Sequence, residues 1–420
     1  MFSLLLLLLL SRSMGLLAEK FHISPLVGEL LGGLILSPLI FNLLTSESNL
    51  AIFAEFAIIV IMFHSGLHTD FTSFKAHRVT SIVVGAMGVA ASFCLIFLLS
   101  YGVFHFNLET SLFLGAILSN SAIEISASVL RSTRNEKLRS IVVGASFIDD
   151  IMAVFVLGVV LSFVDSTPGV LSPIFGDLGD LLTPFVLFLI TSVKVVAFLL
   201  ITFYLLSMIS HKILDRFAGR GFKVLLSIGF LFALGLGIFA KWVGLHEIIG
   251  VYLAGLILSR WGVLPDPMLT RGVAWMNFKE TFTNIMESLF SPIFFGFVGI
   301  LLGSSLTEVG GGPLLSIGIG VVLFTLFAFL GKITGCGLGA RLKKIAPGGA
   351  LMIGMVMGGR GALEFILIRS GLEKGLLNEE QFSVVIIVTM LTILLTPVFY
   401  RLVKSRVERG KEDVDLMAQK

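Results

Sequence analysis

A chain of 420 residues, 56% hydrophobic and only 14% charged, with a mean hydropathy of +1.02, lies outside the soluble globular class and reads as an all-α polytopic membrane protein. Its net charge of +3 gives no reason to invoke a nucleic-acid partner. The two cysteines, Cys94 and Cys336, sit inside apolar runs, so neither a disulfide framework nor a zinc centre is implied.

Hydropathy predicts thirteen spans, at roughly 2–19, 24–43, 50–67, 79–104, 110–130, 140–164, 180–209, 222–241, 245–261, 281–303, 312–340, 347–370 and 381–403. The first, FSLLLLLLLSRSMGLLA, lacks the basic leading region and small-residue cleavage site of a signal peptide, and reads as a helix. The second and ninth carry a repeat. Ser24–Ser37, SPLVGELLGGLILS, matches His246–Ser259, HEIIGVYLAGLILS, at a constant offset of 222. An offset of seven spans inverts the unit in the membrane, which is the architecture of secondary transporters. Glu29 and Glu287 are expected to line an inter-domain surface or vestibule, and His64 to sit near the cytoplasmic membrane surface.

The fifth span holds Ser119-Asn120-Ser121 and Glu124 at its middle. Ser and Asn compete for backbone hydrogen bonds, so the helix is expected to break there. Its repeat mate, the twelfth, holds Gly358-Gly359-Arg360-Gly361 followed by Glu364. Three glycines in four residues weaken a helix and free backbone groups toward a cavity. Glu124 and Arg360 can offset exposed dipole ends or pair with each other, and Arg360 and Glu364, one turn apart, form an alternative pair. Small-residue helix packing is the competing explanation for both segments.

The sixth span, Ile141 to Val164, contains two adjacent acids, Asp149 and Asp150, as its only ionisable residues. One aspartate at the centre of a span costs roughly 2.5–3.5 kcal/mol on insertion scales. Two adjacent like charges cannot both stay bare in an apolar medium, so a proton, a cation or a basic partner must be held there. Lys194 lies mid-span in the seventh helix without a motif to explain it. In the eleventh, Lys332 stands in FLFAFLGKITG, nine residues before Arg341. About 13 Å of helix is too far to snorkel, so its amine needs an acid or must give up its proton.

Basic residues alternate between the loops. One side collects Lys20, Lys75, Arg78, Arg131, Arg134, Lys137, Arg139, Lys212, Arg216, Arg220, Lys223, Arg260, Arg271, Lys279, Arg341, Lys343, Lys344 and the basic tail. The other holds Lys241, Arg369 and Lys374. The positive-inside rule therefore places the amino terminus outside and the carboxyl terminus in the cytoplasm.

Phe147-Ile148-Asp149-Asp150, Leu26–Pro38, Met62–Leu67, Pro292–Phe295, Gly331-Lys332, Gly359-Arg360-Gly361 with Glu364, and Leu394–Pro397 together strongly resemble the monovalent cation:proton antiporter family 2. The likeness is greatest to bacterial sodium/proton exchangers with paired aspartates. The resemblance implies a six-helix core, spans four to six and eleven to thirteen, in which the fifth and twelfth cross as broken helices. It implies Asp150 as the principal carrier of Na+ and H+, Asp149 as its neighbour paired with Lys332, a homodimer, and a prokaryotic inner membrane. Glu124 departs from the family pattern, where a small or apolar residue is usual, and reads equally as an additional proton site or as a partner of Arg360.

Repeat and resemblance divide the chain into dimer and gating helices of repeat 1 (1–78), core helices of repeat 1 (79–164), a linker helix (165–221), dimer and gating helices of repeat 2 (222–303), core helices of repeat 2 (304–403) and a tail (404–420). The expected partners are monovalent cations, protons, the lipid bilayer and a second copy. No cofactor is expected. The alternatives are a K+/H+ antiporter, a cation channel of the same fold and a transport-dead sensor, and hard oxygen ligands fit Na+, Li+ and K+ alike. An enzyme is not expected, because the loops carry no nucleophile and base pair, phosphate loop or metal cluster.

Overall fold

The computed structural model describes residues 2–21, 23–45, 48–68, 77–130, 135–164, 189–190, 192–202, 204, 216, 222–243, 245, 247–262, 270–309 and 314–418. Among them all regular structure is helical. In chain order the helices are α1 (Phe2–Lys20), α2 (Pro25–Leu36), α3 (Ser48–Leu67), α4 (Arg78–Leu98), α5 (Leu108–Leu118), α6 (Ile123–Val129), α7 (Glu136–Val164), α8 (Ser192–Ile201), α9 (Phe222–Trp242), α10 (Glu247–Gly262), α11 (Thr270–Ile285), α12 (Ser291–Val309), α13 (Leu314–Leu342), α14 (Pro347–Val356), α15 (Ala362–Glu373) and α16 (Glu379–Ala418). Single π-helical turns occur at Leu99–Val103 and Met286–Phe290.

Seven helical stretches among the described residues are long and apolar enough to cross a bilayer. The fifth and twelfth spans are each built of two half-helices, α5 with α6 and α14 with α15. The expected linker 165–221 lies largely outside the described residues.

Two expected boundaries are corrected. The second span ends at Leu36, not 43. Ser37 takes an extended conformation because Pro38 bars the helical region to the residue before it and cannot donate to the helix. The tenth is longer than 281–303. Helix α11, the turn at Met286–Phe290 and α12 run on continuously, with Gly272–Thr307 forming a 36-residue span. Part of the segment left between the expected spans 245–261 and 281–303 is therefore helix. Arg271, Asn277, Lys279 and Glu280 make it polar enough to escape hydropathy, yet no Gly or Pro interrupts it from Val273 to Phe290.

The chain divides into two compact units. One comprises Met1–Leu8, Glu47–Phe71 and Val154–Phe297; the other comprises Leu9–Ser46, Thr72–Ala153 and Val298–Lys420. The inverted repeat is written in the helix crossings inside each. In the second unit a Cβ on Gly28 would stand 2.3 Å from the Met14 carbonyl oxygen; in the first, one on Gly250 would stand 2.1 Å from that of Leu236. Met14 and Leu236 keep the offset of 222. Likewise, Gly299 of α12 approaches the Leu30 carbonyl of α2 and Gly66 of α3 approaches the Tyr252 carbonyl of α10, with notional Cβ distances of 2.1 and 2.2 Å. Leu30 and Tyr252 are again 222 apart. Backbones this close require glycine, the usual basis of tight helix contact in lipid.

The second unit is organised on α4 and α13. Gly331, Gly335 and Gly339 line one face of α13, and a Cβ at each would fall 2.6, 2.4 and 2.9 Å from backbone atoms of Ser92, Met87 and Val84. The descending partners make the pair antiparallel. This crossing carries Lys332 into the interior of the unit, where its side chain is fully buried.

Candidate functional site

The two interrupted spans meet in the second unit. Helix α5 stops at Leu118 and α6 starts at Ile123, while α14 stops at Val356 and α15 starts at Ala362. The non-helical backbone between them is cross-linked. Ala122 N–H donates to the Gly359 carbonyl at 2.9 Å, and Ser126 Oγ donates to the Val356 carbonyl at 3.3 Å. Irregular backbone at membrane depth survives only when its polar groups are satisfied in this way.

Helix α7 delivers Asp149 and Asp150 to this junction. Both are buried, at an estimated cost that only partners can offset. Asp149 Oδ2 accepts from Lys332 Nζ, and neither side chain has exposed surface. Ser121 Oγ lies 2.6 Å from Asp149 Oδ2 and also 2.6 Å from the Met357 carbonyl. Its single proton serves one acceptor at a time. Asn120 Nδ2 points to Asp150 Oδ1 at 3.5 Å. Asn120 Oδ1 and Asp149 Oδ1 are buried and accept no hydrogen bond among the described residues. Hard oxygens grouped beside an amine suit competition between an alkali cation and a proton, because each form of the site needs its own positive charge.

Arg360 is fully buried and joins the two breaks. It donates through one terminal nitrogen to the Gly358 carbonyl at 2.6 Å and through the other to the Leu118 carbonyl at 2.5 Å. A guanidinium at the carboxyl end of α5 complements the negative end of that half-helix. Glu364 instead caps α15, its Oε2 accepting from Gly361 N–H at 2.7 Å. Arg360 therefore makes its hydrogen bonds to carbonyls, while Glu364 remains within electrostatic reach. The side chain of Glu124 lies outside the described residues, and with it the expected pairing to Arg360.

Several neighbours were not singled out in the sequence. Ser146 Oγ, one turn before Asp149 on α7, contacts the Met357 sulfur at 3.3 Å; a helical i−3 spacing was the available signal. Cys336, one turn after Lys332, packs so closely on α4 that a Cβ on Gly88 would lie 2.3 Å from its sulfur and 3.7 Å from Lys332 Nζ. The remaining intramembrane charges are elsewhere. Glu29 is buried against Arg12 of α1 at 3.8 Å, Glu287 is exposed on the π-helical turn, and Lys194 is half-buried on α8. His64 is buried at the end of α3 and bonded to Thr283.

The family model described as sodium/hydrogen exchanger, transmembrane, matches residues 4–401. The chain belongs to the sodium/hydrogen exchanger family. This family member is a transporter rather than an enzyme. It is 26% identical over 404 residues to the Na(+)/H(+)-K(+) antiporter GerN of Bacillus cereus, covering 94% of each chain. It is 27% identical to the Na(+)/H(+) antiporter of Enterococcus hirae, covering 93% of this chain and 94% of that one. The exchanger fold is also that of the sodium proton antiporter MjNhaP1 from Methanocaldococcus jannaschii, with a TM-score of 0.69, 18% identity and 94% of both chains covered.

Proposed function

We propose that the protein is an antiporter that exchanges Na+ for H+ by alternating access, the two cargoes competing at Asp150. The observation that carries this reading is the placement of Asp150 and Asp149 against the break in one half-helix pair, with Lys332 held on Asp149. A dehydrated ion at Asp150, assisted by Asp149, Asn120 and Ser121 oxygens, expels protons on one side; protons expel the ion on the other. One site cannot hold both, so exchange is obligatory. Arrival of an ion gives Asp149 a second cation to serve, and Lys332 is then released. If its proton leaves with it, two protons move per ion and transport is electrogenic. The repeated crossings and broken spans support a moving carrier over a static pore, and the alternating loop charges support an outside amino terminus. A homodimer, which the family resemblance implies, is part of this reading.

The test is sodium-driven proton flux in sealed liposomes, wild type against Asp150→Asn, at several membrane potentials. Flux that depends on Asp150 and accelerates with voltage supports the electrogenic scheme. Voltage-indifferent flux removes the two-proton step, and cation current without coupled protons overturns the antiporter. Because GerN is described as acting on both ions, K+ is tested alongside Na+.

A further inference from the structure

In the first unit two imidazoles converge on one hydroxyl. His64 and His68, one helical turn apart, have ring centroids 4.0 Å apart and planes inclined by 40°. His64 Nε2 lies 3.3 Å and His68 Nε2 3.4 Å from Thr283 Oγ1 of α11. His68 Nδ1 lies 3.1 Å from the His64 carbonyl oxygen. A carbonyl only accepts, so Nδ1 of His68 carries the proton and its Nε2 presents a lone pair toward Thr283. The single Thr283 proton is taken up by that lone pair, which leaves His64 Nε2 as the donor to Thr283 Oγ1. A change of tautomer at His64 turns a second lone pair onto the same spot.

We propose that His64 and His68 form a binding site for a divalent transition-metal cation of the Zn2+, Ni2+ and Cu2+ class. Histidines at i and i+4 on one helical face are the spacing that chelates such ions. An Nδ1–H bonded to a backbone carbonyl is the arrangement that orients a metal-bound imidazole. Imidazole nitrogens favour these borderline ions over alkali cations, which take oxygen ligands, so the site does not compete for the transported ion. Thr283 supplies a hydroxyl, and Phe282, Phe63 and Phe230 pack as neighbouring aromatics on the covered side. Among the described residues Lys279 acts electrostatically on both imidazoles, and its repulsion limits affinity for a cation.

The experiment is calorimetric titration of Zn2+ into the purified, chelator-stripped full chain in detergent, alongside His64→Gln, His68→Gln and His105→Gln. His105 is exposed and belongs to the second unit, and it serves as the control. The expected result is one saturable Zn2+ per chain, weakened at least about tenfold in either of the first two variants and unchanged in the third. Absence of binding in the wild type, or wild-type affinity in His64→Gln or His68→Gln, overturns the proposal. If a variant fails to fold, electron paramagnetic resonance of Cu2+ on the wild type decides. Hyperfine coupling to two imidazole nitrogens is expected, and an oxygen-only spectrum overturns the site. None of these readouts uses ion flux, so they stand or fall apart from the antiporter reading.

Discussion

Lys332 and Asp149 form an ion pair with no exposed side-chain surface on either partner. Removing one partner from such a pair leaves an uncompensated buried charge, which typically costs about 3–5 kcal/mol, whereas removing both is close to neutral. Lys332→Met is therefore expected to lower thermal stability in detergent strongly, and Lys332→Met combined with Asp149→Asn to recover most of it. Equal melting of the single and double variants would show that the pair is not what Lys332 is held by.

The α4–α13 crossing makes a second prediction. A methyl group added at Gly335 would meet the Met87 carbonyl oxygen at 2.4 Å, while one at Gly318 on the same helix meets nothing within 4 Å. Gly335→Ala is expected to destabilise by about 1–3 kcal/mol through overpacking. Gly318→Ala is expected to be neutral or to stabilise by up to about 1 kcal/mol, as alanine is the better helix former. Parallel thermal melts of the two variants check the difference, and identical shifts would contradict the crossing.

The acids and the amine were legible in the sequence because a charge inside an apolar run is conspicuous. The breaks were legible because Ser119-Asn120-Ser121 and three clustered glycines disfavour helix on local grounds. Arg360 was legible as a charge but not in its partners. Sequence exposes only charged candidates such as Glu124 and Glu364, whereas the bonds go to carbonyls of Leu118 and Gly358, and every residue has a carbonyl. Ser121 was read as a helix breaker. Its contact with Asp149 joins residues 28 apart in sequence, which no local pattern encodes. The helical course of α11 was missed for the opposite reason: its polar residues hide a segment that lacks any breaker.

Arg360 ties the carboxyl end of α5 to the interrupted segment before α15. Hydrogen bonds from a charged donor contribute about 1.5–3 kcal/mol each. Arg360→Met is expected to speed backbone hydrogen exchange in residues 119–122 and 357–361 together. Lysine keeps the charge but lacks the planar fork, so Arg360→Lys should protect one segment and not both. Exchange unchanged in Arg360→Met would remove Arg360 as the clamp between them.

His68 gives the pH dependence a sign. In the folded chain it holds at about 4, lowered from its ordinary value of 6.5 by burial and then by Lys279. Between about 4 and 6.5 the unfolded chain binds a proton there that the folded chain refuses, so stability falls as pH is lowered through this window and is unaffected by His68 above it. Chelator-treated wild type is expected to lose more melting temperature than His68→Gln between pH 7 and roughly pH 4.5. The carboxylates that titrate over the same range are common to both chains and cancel in the difference. Parallel pH profiles for the two proteins would show that His68 is free to take its proton in the fold.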